Sequence, residues 1–547
     1  AQAVAALAYG TETIAPVVSG EPERPIVLEG ERGPDGEWLT LLDIGVPVSG
    51  WEPAPEVGPG VFRTDDLDFV PYSMTLDGKQ LLRMHDTRIM APGTGFEYLA
   101  LPADAPVEAE YPGGYVDEQG FWDGVEVIYG AHEGVTYIRF RDGDDPTGMD
   151  LRAAPAGGGI QLRDVSHWTI RDLRIGNAED CVVIEGGQAH HNTVQRCFLS
   201  NGHNRVVITG GAASNTVRDN EMTLNYYGYD DPGAWGAVER TMHTSIRCRL
   251  YRAFKTIQGP GGSDDHGVWL RRAGPGNEVR GNHIYAGLIG VSTGDCRDAD
   301  VHHNVIHGMS SIGILTSEDA QRGPVDLRAH DNLVYDCNIN FRLHHYNNCL
   351  PGQRREYHYR NLSWQRPGMG THIYIHWTSE EMTEGCDHPE LYLYHNSFVG
   401  GYRAFVTSGW ADDGGGNRGI WLLNNILDAG YALYGSSDYM ADAMMMGPVD
   451  HNLLVGTINH GDAAWLGEHN VALEDAPLWP AEGMPDFELT EDSPARGIGL
   501  DLSRPFEVMG RTHDAMPGME PGYFTGPAPD AGALQFGEPA PVAPPGT

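Results

Sequence analysis

Lysine is almost missing from this chain: Lys79 and Lys255 stand alone among 36 basic residues, and the others are arginine. Also missing are a hydrophobic run of membrane-spanning length, a CxxC pair, an HExxH pattern and a DxDxDG loop. An integral helical membrane protein is therefore not expected, nor a zinc ribbon or thioredoxin-like centre, and the usual zincin and EF-hand signatures are absent. Positive charge is scarce overall. With 76 acidic residues the formal net charge is −40, which argues against nucleic acid and against an anionic membrane surface as partners. The seven cysteines are scattered and odd in number, and several fall inside repeats, where a buried small hydrophobe is the plain reading.

What the chain does have is glycine (72) and proline (36) in 547 residues that are 40% apolar. That composition describes a turn-rich β protein. Three segments align without gaps, beginning at Asn192 (NTVQRCF), Asn215 (NTVRDNE) and Asn277 (NEVRGNH). Looser copies surround Asn304, Asn332, Asn361, Asn396, Asn425 and Asn452, and from Asn282 onward the steps are 22, 28, 29, 35, 29 and 27 residues. Short alternating strands that recur in the twenties with a polar turn residue mark a right-handed parallel β-helix, an all-β solenoid. One coil cannot bury its apolar face alone; stacked coils can, and equivalent asparagines then hydrogen-bond in a ladder. A second strand row keeps the same register, from CVVIEGG at Cys181 and RVVITGG at Arg205 through GVWLRRAG at Gly267 to FVTSGWA at Phe405.

This pattern divides the chain into first coils over 1–45, a small inserted β-sandwich-like domain over 46–112, the main helix over 113–480, and a C-terminal cap and loop tail over 481–547. Gly124 to Asp150 reads as a return to coil-like strands, and Leu224 to Ser263 as a long loop beside the helix. The N-terminal AQAVAALAYG lacks a basic region and suits a mature chain left after cleavage at small residues, so a secreted or periplasmic location is expected.

Stacking turns alignment into contact: residues in one column of adjacent coils lie about 4.8 Å apart. One column reads Gly186, Gly210, Arg272, Asp295, Glu318, Tyr346, Thr378. Asp295 and Glu318 are thus expected to be stacked neighbours, at the separation of about 5 Å that a retaining glycosidase needs for its nucleophile and its acid/base. Around them the alignment gathers Asp264, Asp265, His266, Arg271, Arg272, His344, His345, His376 and Trp377, groups suited to binding sugar hydroxyls and stacking on a ring. Any single acidic residue of a −40 protein is more simply a solvated surface group; it is the company that points to a site. A register error of a residue or two would put Asp319 in place of Glu318. The same acidic residues could instead ligate Ca²⁺, but no metal site is expected and no cofactor is required.

The segment GPGVFRTDDLDFVPYSMTLDGKQLLRMHD and the Asp-then-Glu spacing of 23 residues resemble the bacterial β-helix glycoside hydrolases of family 120, the β-xylosidase type, and of family 141. The resemblance implies a retaining glycoside hydrolase of plant or algal oligo- or polysaccharide, with Asp295 attacking and Glu318 protonating the leaving group. A β-helix polysaccharide lyase or uronate epimerase is the alternative, kept open by Arg252, Arg271 and Arg272. A non-catalytic carbohydrate-binding solenoid is the third. The fold alone does not separate these. A carbohydrate is the expected partner in each case, and a homo-oligomer is compatible with the architecture.

Overall fold

The computed structural model describes residues 13–84, 127–132, 134–140, 142–224, 265–294, 296–309, 311–316, 326–346, 355–366, 368, 370–378, 390–409, 419–435, 446–459, 466–474, 478–479 and 483–539. Every regular element among them is a β-strand, and the long sheets are parallel with successive coils as neighbours. The chain is a parallel β-helix, as its repeats require. Contacts divide it into two units: Ala1–Trp269 with His283–Gly290 and Gly308–Ser311, and Leu270–Asn282 with Val291–His307 and Ile312–Thr547.

In the first unit each coil carries two short strands and one long one. Trp168–Arg171, Arg174–Gly176 and Asp180–Glu185 form one coil, and Thr193–Gln195, Phe198–Ser200 and Asn204–Thr209 form the next. The register pairs Ile170 with Val194, Ile175 with Leu199, and Val182 with Val206. All six are fully buried. Alternation puts these β-branched and leucine side chains inward, and the parallel stacking lays each on its counterpart one coil away.

The inserted domain occupies one turn of this unit. Leu41–Asp43 pairs with Arg174–Gly176 before the insert, and Gly158–Arg163 pairs with Asp180–Glu185 after it. Between them lie two small sheets, one of Glu52–Pro53, Val61–Thr64, Val135–Phe140, Val127–His132 and Leu82–Met84, the other of Val46–Pro47, Leu151–Ala153, Met74–Leu76 and Lys79–Gln80. These sheets run past the expected end at 112, as far as Ala153. The alternation from Gly124 predicts coil-like strands of the helix; instead Val127–His132 and Val135–Phe140 form an antiparallel hairpin, Tyr137 opposite Gly130. A hairpin strand and a coil strand share the same period of two, so alternation could not distinguish them. The insert has its own core, with Leu67, Met74, Leu76, Leu81, Tyr129, Ile138 and Leu151 all buried.

In the second unit the interior column runs Phe341, Ile373, Phe405, Leu433 in strict register. The outward row of the neighbouring sheet stacks aromatics at coil spacing: Tyr357 on Tyr392 and Tyr359 on Tyr394, each with centroids 5.1 Å apart. The residues expected to form a cap, described over 483–539, lie along the outward faces of these coils. Phe487, Leu489, Ala531 and Leu534 cover Leu333, Leu362, Val399 and Leu453, and Leu502, Phe506, Met516 and Met519 cover the tyrosine rows. Asn424 fastens this strap, its Nδ2 donating to Leu500 O at 2.7 Å and its Oδ1 accepting from Leu500 N at 2.8 Å.

Asparagines sit where the repeats place them. In the first unit Trp168 N donates to Asn192 Oδ1 and Asn192 N to Asn215 Oδ1, while Cys197 N donates to Asn220 Oδ1 five residues further round. In the second unit one unbroken ladder links Asn282, Asn304, Asn332, Asn361, Asn396, Asn425, Asn452 and Asn470, backbone N to the next Oδ1 at 2.9–3.2 Å.

Asp428 of the second unit is buried with Leu478 N donating to its Oδ2 at 3.1 Å, and burial pushes its carboxyl up to about 6 from the ordinary 3.8. A raised folded-state value favours the native state fully below the unfolded value and loses that contribution as pH climbs through 6. Asp428→Asn keeps an acceptor for Leu478. It is expected to leave stability unchanged near pH 4 and to raise it by roughly 1–3 kcal/mol at pH 8, read from urea midpoints at both values. An equal gain at both pH values would rule out ionisation as the source.

Candidate active site

The column singled out in the sequence lies where the long strands end. In the first unit Gly186 and Gly210 occupy it with φ of 100° and 65°, and Gly186 N donates to Thr209 O at 3.2 Å. In the second unit Arg272 occupies it with φ of 50°, its N donating to Gly294 O at 2.9 Å, so that position 295 is the next member of the column. The left-handed φ turns the chain sharply out of the strand. Gly210 and Arg272 are exposed there. Both described positions thus face solvent rather than the core.

Asp295, Glu318 and Asp264 lie outside the described residues. The flanking strands are described: Ile289–Gly294 ends one residue before 295, and Ile312–Thr316 ends two before 318. These two strands are paired in the sheet, and within the second unit Thr293 Oγ1 lies 3.5 Å from Leu315 O. Further along, His344 is in register with His376 and His345 with Trp377, near the ends of Ile339–Tyr346 and Thr371–Thr378. Arg342 and Tyr374, two residues before the first of these pairs, form a cation–π contact at 5.8 Å.

Asp265 and His266 are separated from this end. His266 opens the strand His266–Arg271 and Arg271 closes it, a span of about 16 Å at ~3.3 Å per residue. Both Asp265 and His266 are closed off from solvent. Asp265 Oδ1 accepts from Arg205 Nη2 at 2.9 Å and from Leu288 N at 3.2 Å, and His266 Nδ1 lies 2.8 Å from Asn204 Oδ1. The His266 ring stacks on Trp269, centroids 4.8 Å apart.

These two residues belong to a polar network in the first unit that sequence reasoning did not assemble. Asn204 Nδ2 donates to Asp180 Oδ1 at 2.6 Å, and it lies 2.9 Å from His203 Nδ1. With its amide nitrogen so engaged, Asn204 presents only its oxygen to His266, which fixes Nδ1 as the protonated ring nitrogen. Burial drives the Asp180 carboxyl up to about 6, with Glu179 adding to the shift and Asn204 opposing it. The insert borders the same turn: Asn201 Nδ2 donates to Gly78 O and Gly202 N to Gln80 Oε1. The signal for this network was present in RVVITGG, where Arg205 takes the place that Cys181 holds in the preceding coil. A charged residue in an otherwise small, buried column requires a counter-charge.

Arg205 and Asp265 are both almost wholly buried. Removing one partner of such a pair strands the other charge, so Asp265→Ala is expected to cost about 3–5 kcal/mol, with Arg205→Met in the same chain recovering most of it. Chemical denaturation of the single and double variants checks this. A stable Asp265→Ala protein with a raised KM would instead assign Asp265 to the substrate.

The fold agrees with what is known elsewhere. A family model described as the right handed beta helix region matches residues 158–349. No curated protein matches the chain. Among solved structures, XylC in complex with xylose is 13% identical with a TM-score of 0.48, covering 86% of this chain and 80% of that one. A structure titled glycoside hydrolase is 11% identical with a TM-score of 0.37, over 67% of this chain and 85% of that one. An alginate lyase from Paenibacillus sp. is 12% identical with a TM-score of 0.28, over 44% and 76%.

Proposed function

We propose that this chain is a carbohydrate-active enzyme, a retaining glycoside hydrolase of plant or algal oligo- or polysaccharide in which Asp295 is the nucleophile and Glu318 the acid/base. The observation that carries the reading is the bond from Arg272 N to Gly294 O, which supports an exposed, outward-turning setting for position 295. The strands Ile289–Gly294 and Ile312–Thr316 are paired on neighbouring coils, and the bond from Ser311 N to Leu288 O sets Ile289 opposite Ser311, an offset of 22 residues, one short of the 23 that separate 295 and 318. Adjacent coils are about 4.8 Å apart, which brings two carboxylates to the separation of a double-displacement mechanism.

In this reading Asp295 attacks the anomeric carbon while Glu318 gives its proton to the leaving oxygen; Glu318 then takes a proton from water, which releases the sugar from Asp295. Arg271, Arg272, His344, His345, His376 and Trp377 bind the sugar around the two carboxylates. Asp265 and His266, buried at the opposite end of their strand, take no part. The chemistry needs no cofactor, and an exported protein is the setting that polymeric substrate implies.

The test is a screen of aryl glycosides and of plant and algal polysaccharides, following reducing ends and the ultraviolet absorbance of unsaturated uronates together. New reducing ends without absorbance support hydrolysis. An absorbing product would mean elimination and overturn the assignment.

A further inference from the structure

Three groups of histidine and aspartate in the described residues bring nitrogen and oxygen atoms within 4.8 Å of one another: His167 with His190 and His191, His303 with His330 and Asp331, and Asp450 with His451 and His469. Two of them are already satisfied internally. His330 has Asp331 at 2.7 Å on Nδ1 and Asp300 at 3.0 Å on Nε2. His451 Nδ1 lies 2.8 Å from Ile498 O, and His469 Nδ1 2.8 Å from the buried Asp450 carboxylate.

The first group differs. His167 and His191 hold equivalent left-handed turn positions in successive coils, with φ of 58° and 55°, and their rings stack with centroids 5.1 Å apart. His190 stands edge-on to both. Its Nδ1 lies 2.9 Å from His191 Nδ1. Among the described residues no carboxylate or carbonyl meets any ring nitrogen of the three; the imidazoles face only one another. His191 is exposed and the other two are half-buried, so an ion can enter from solvent.

We infer that His167, His190 and His191 form a binding site for a divalent transition-metal ion of the zinc type, clamping two adjacent coils. Two nitrogens each 2.0–2.1 Å from a tetrahedral zinc ion are about 3.3 Å apart, so the Nδ1 atoms of His190 and His191, 2.9 Å apart, need to part by only a few tenths of an ångström. His167 closes the third position by side-chain rotation, and water completes the shell as it does where three histidines hold zinc. This site is independent of the proposed glycosidase chemistry and uses none of its residues.

The experiment is calorimetric titration of the full chain, stripped with chelator, using ZnCl2 alone as the probe. One site per chain is expected, weakened at least about 100-fold by His190→Ala and by His191→Asn, and unchanged by His469→Gln. On the unaltered chain, Zn²⁺ is expected to protect His190 and His191 from carbethoxylation, mapped by peptide mass, so that a poorly folding variant does not blunt the test. No binding, binding lost only in His469→Gln, or modification of His190 and His191 unaffected by Zn²⁺ would each overturn the inference.

Discussion

Asp295→Asn is expected to abolish turnover to below about one part in 10³, and Glu318→Gln to do the same on substrates with poor leaving groups. The two losses differ in kind. Without the Asp295 carboxylate no glycosyl-enzyme forms, so even an activated aryl glycoside is left intact. Without the Glu318 proton an activated phenol still departs, because it needs no acid. The glycosyl-enzyme then accumulates, since no base activates water. A burst of phenol followed by a slow steady state is therefore expected for Glu318→Gln, and none for Asp295→Asn. Azide, a nucleophile that needs no base, is expected to restore turnover of Glu318→Gln with retained configuration in the glycosyl azide. Full activity in either variant would remove that residue from the mechanism, and a burst in Asp295→Asn would exchange the roles.

The second large effect lies in the ladder. Asn396 is buried; its Oδ1 accepts from Asn361 N at 3.1 Å and from Asn361 Nδ2 at 3.0 Å, and its Nδ2 donates to His358 O at 2.9 Å and Asn425 Oδ1 at 2.9 Å. Asn396→Ala leaves the Asn361 N–H and the His358 carbonyl without their partner in a place water does not reach. Each orphaned buried group costs about 1–3 kcal/mol, so a loss of roughly 3–5 kcal/mol is expected. Because solenoid stability is nearly a sum over neighbouring coils, hydrogen exchange should locate that loss in the coils around 358–365 and 420–427 as well as in the overall urea midpoint. A loss below about 1 kcal/mol would mean that coil stacking, not the ladder, sets the register.

The ladder was legible because its chemistry demands one residue type at one place in every coil. A short side chain with both a donor and an acceptor must repeat for the bonds to link, so the asparagines announce the fold and its period from the sequence alone. Arg272 in its column was legible for a related reason: the strand register is continuous, and counting along it is enough. The neighbours of a strand are another matter. Val127–His132 alternates like a coil strand yet pairs antiparallel in the insert, and nothing in its own residues names its partner.

Asp265 was grouped with Arg272 by sequence proximity, whereas the strand between them carries Asp265 to the other end and into the reach of Arg205, sixty residues earlier in the chain. The C-terminal strap finds the tyrosine rows only because stacked coils leave them facing outward. The three histidines meet only because one coil lies on the next. Composition and period determined that this chain winds into a β-helix, since those are properties of each coil taken singly. Which side chains share a site was decided by the stacking, since distance across coils is set by hydrogen bonds between segments far apart in the chain.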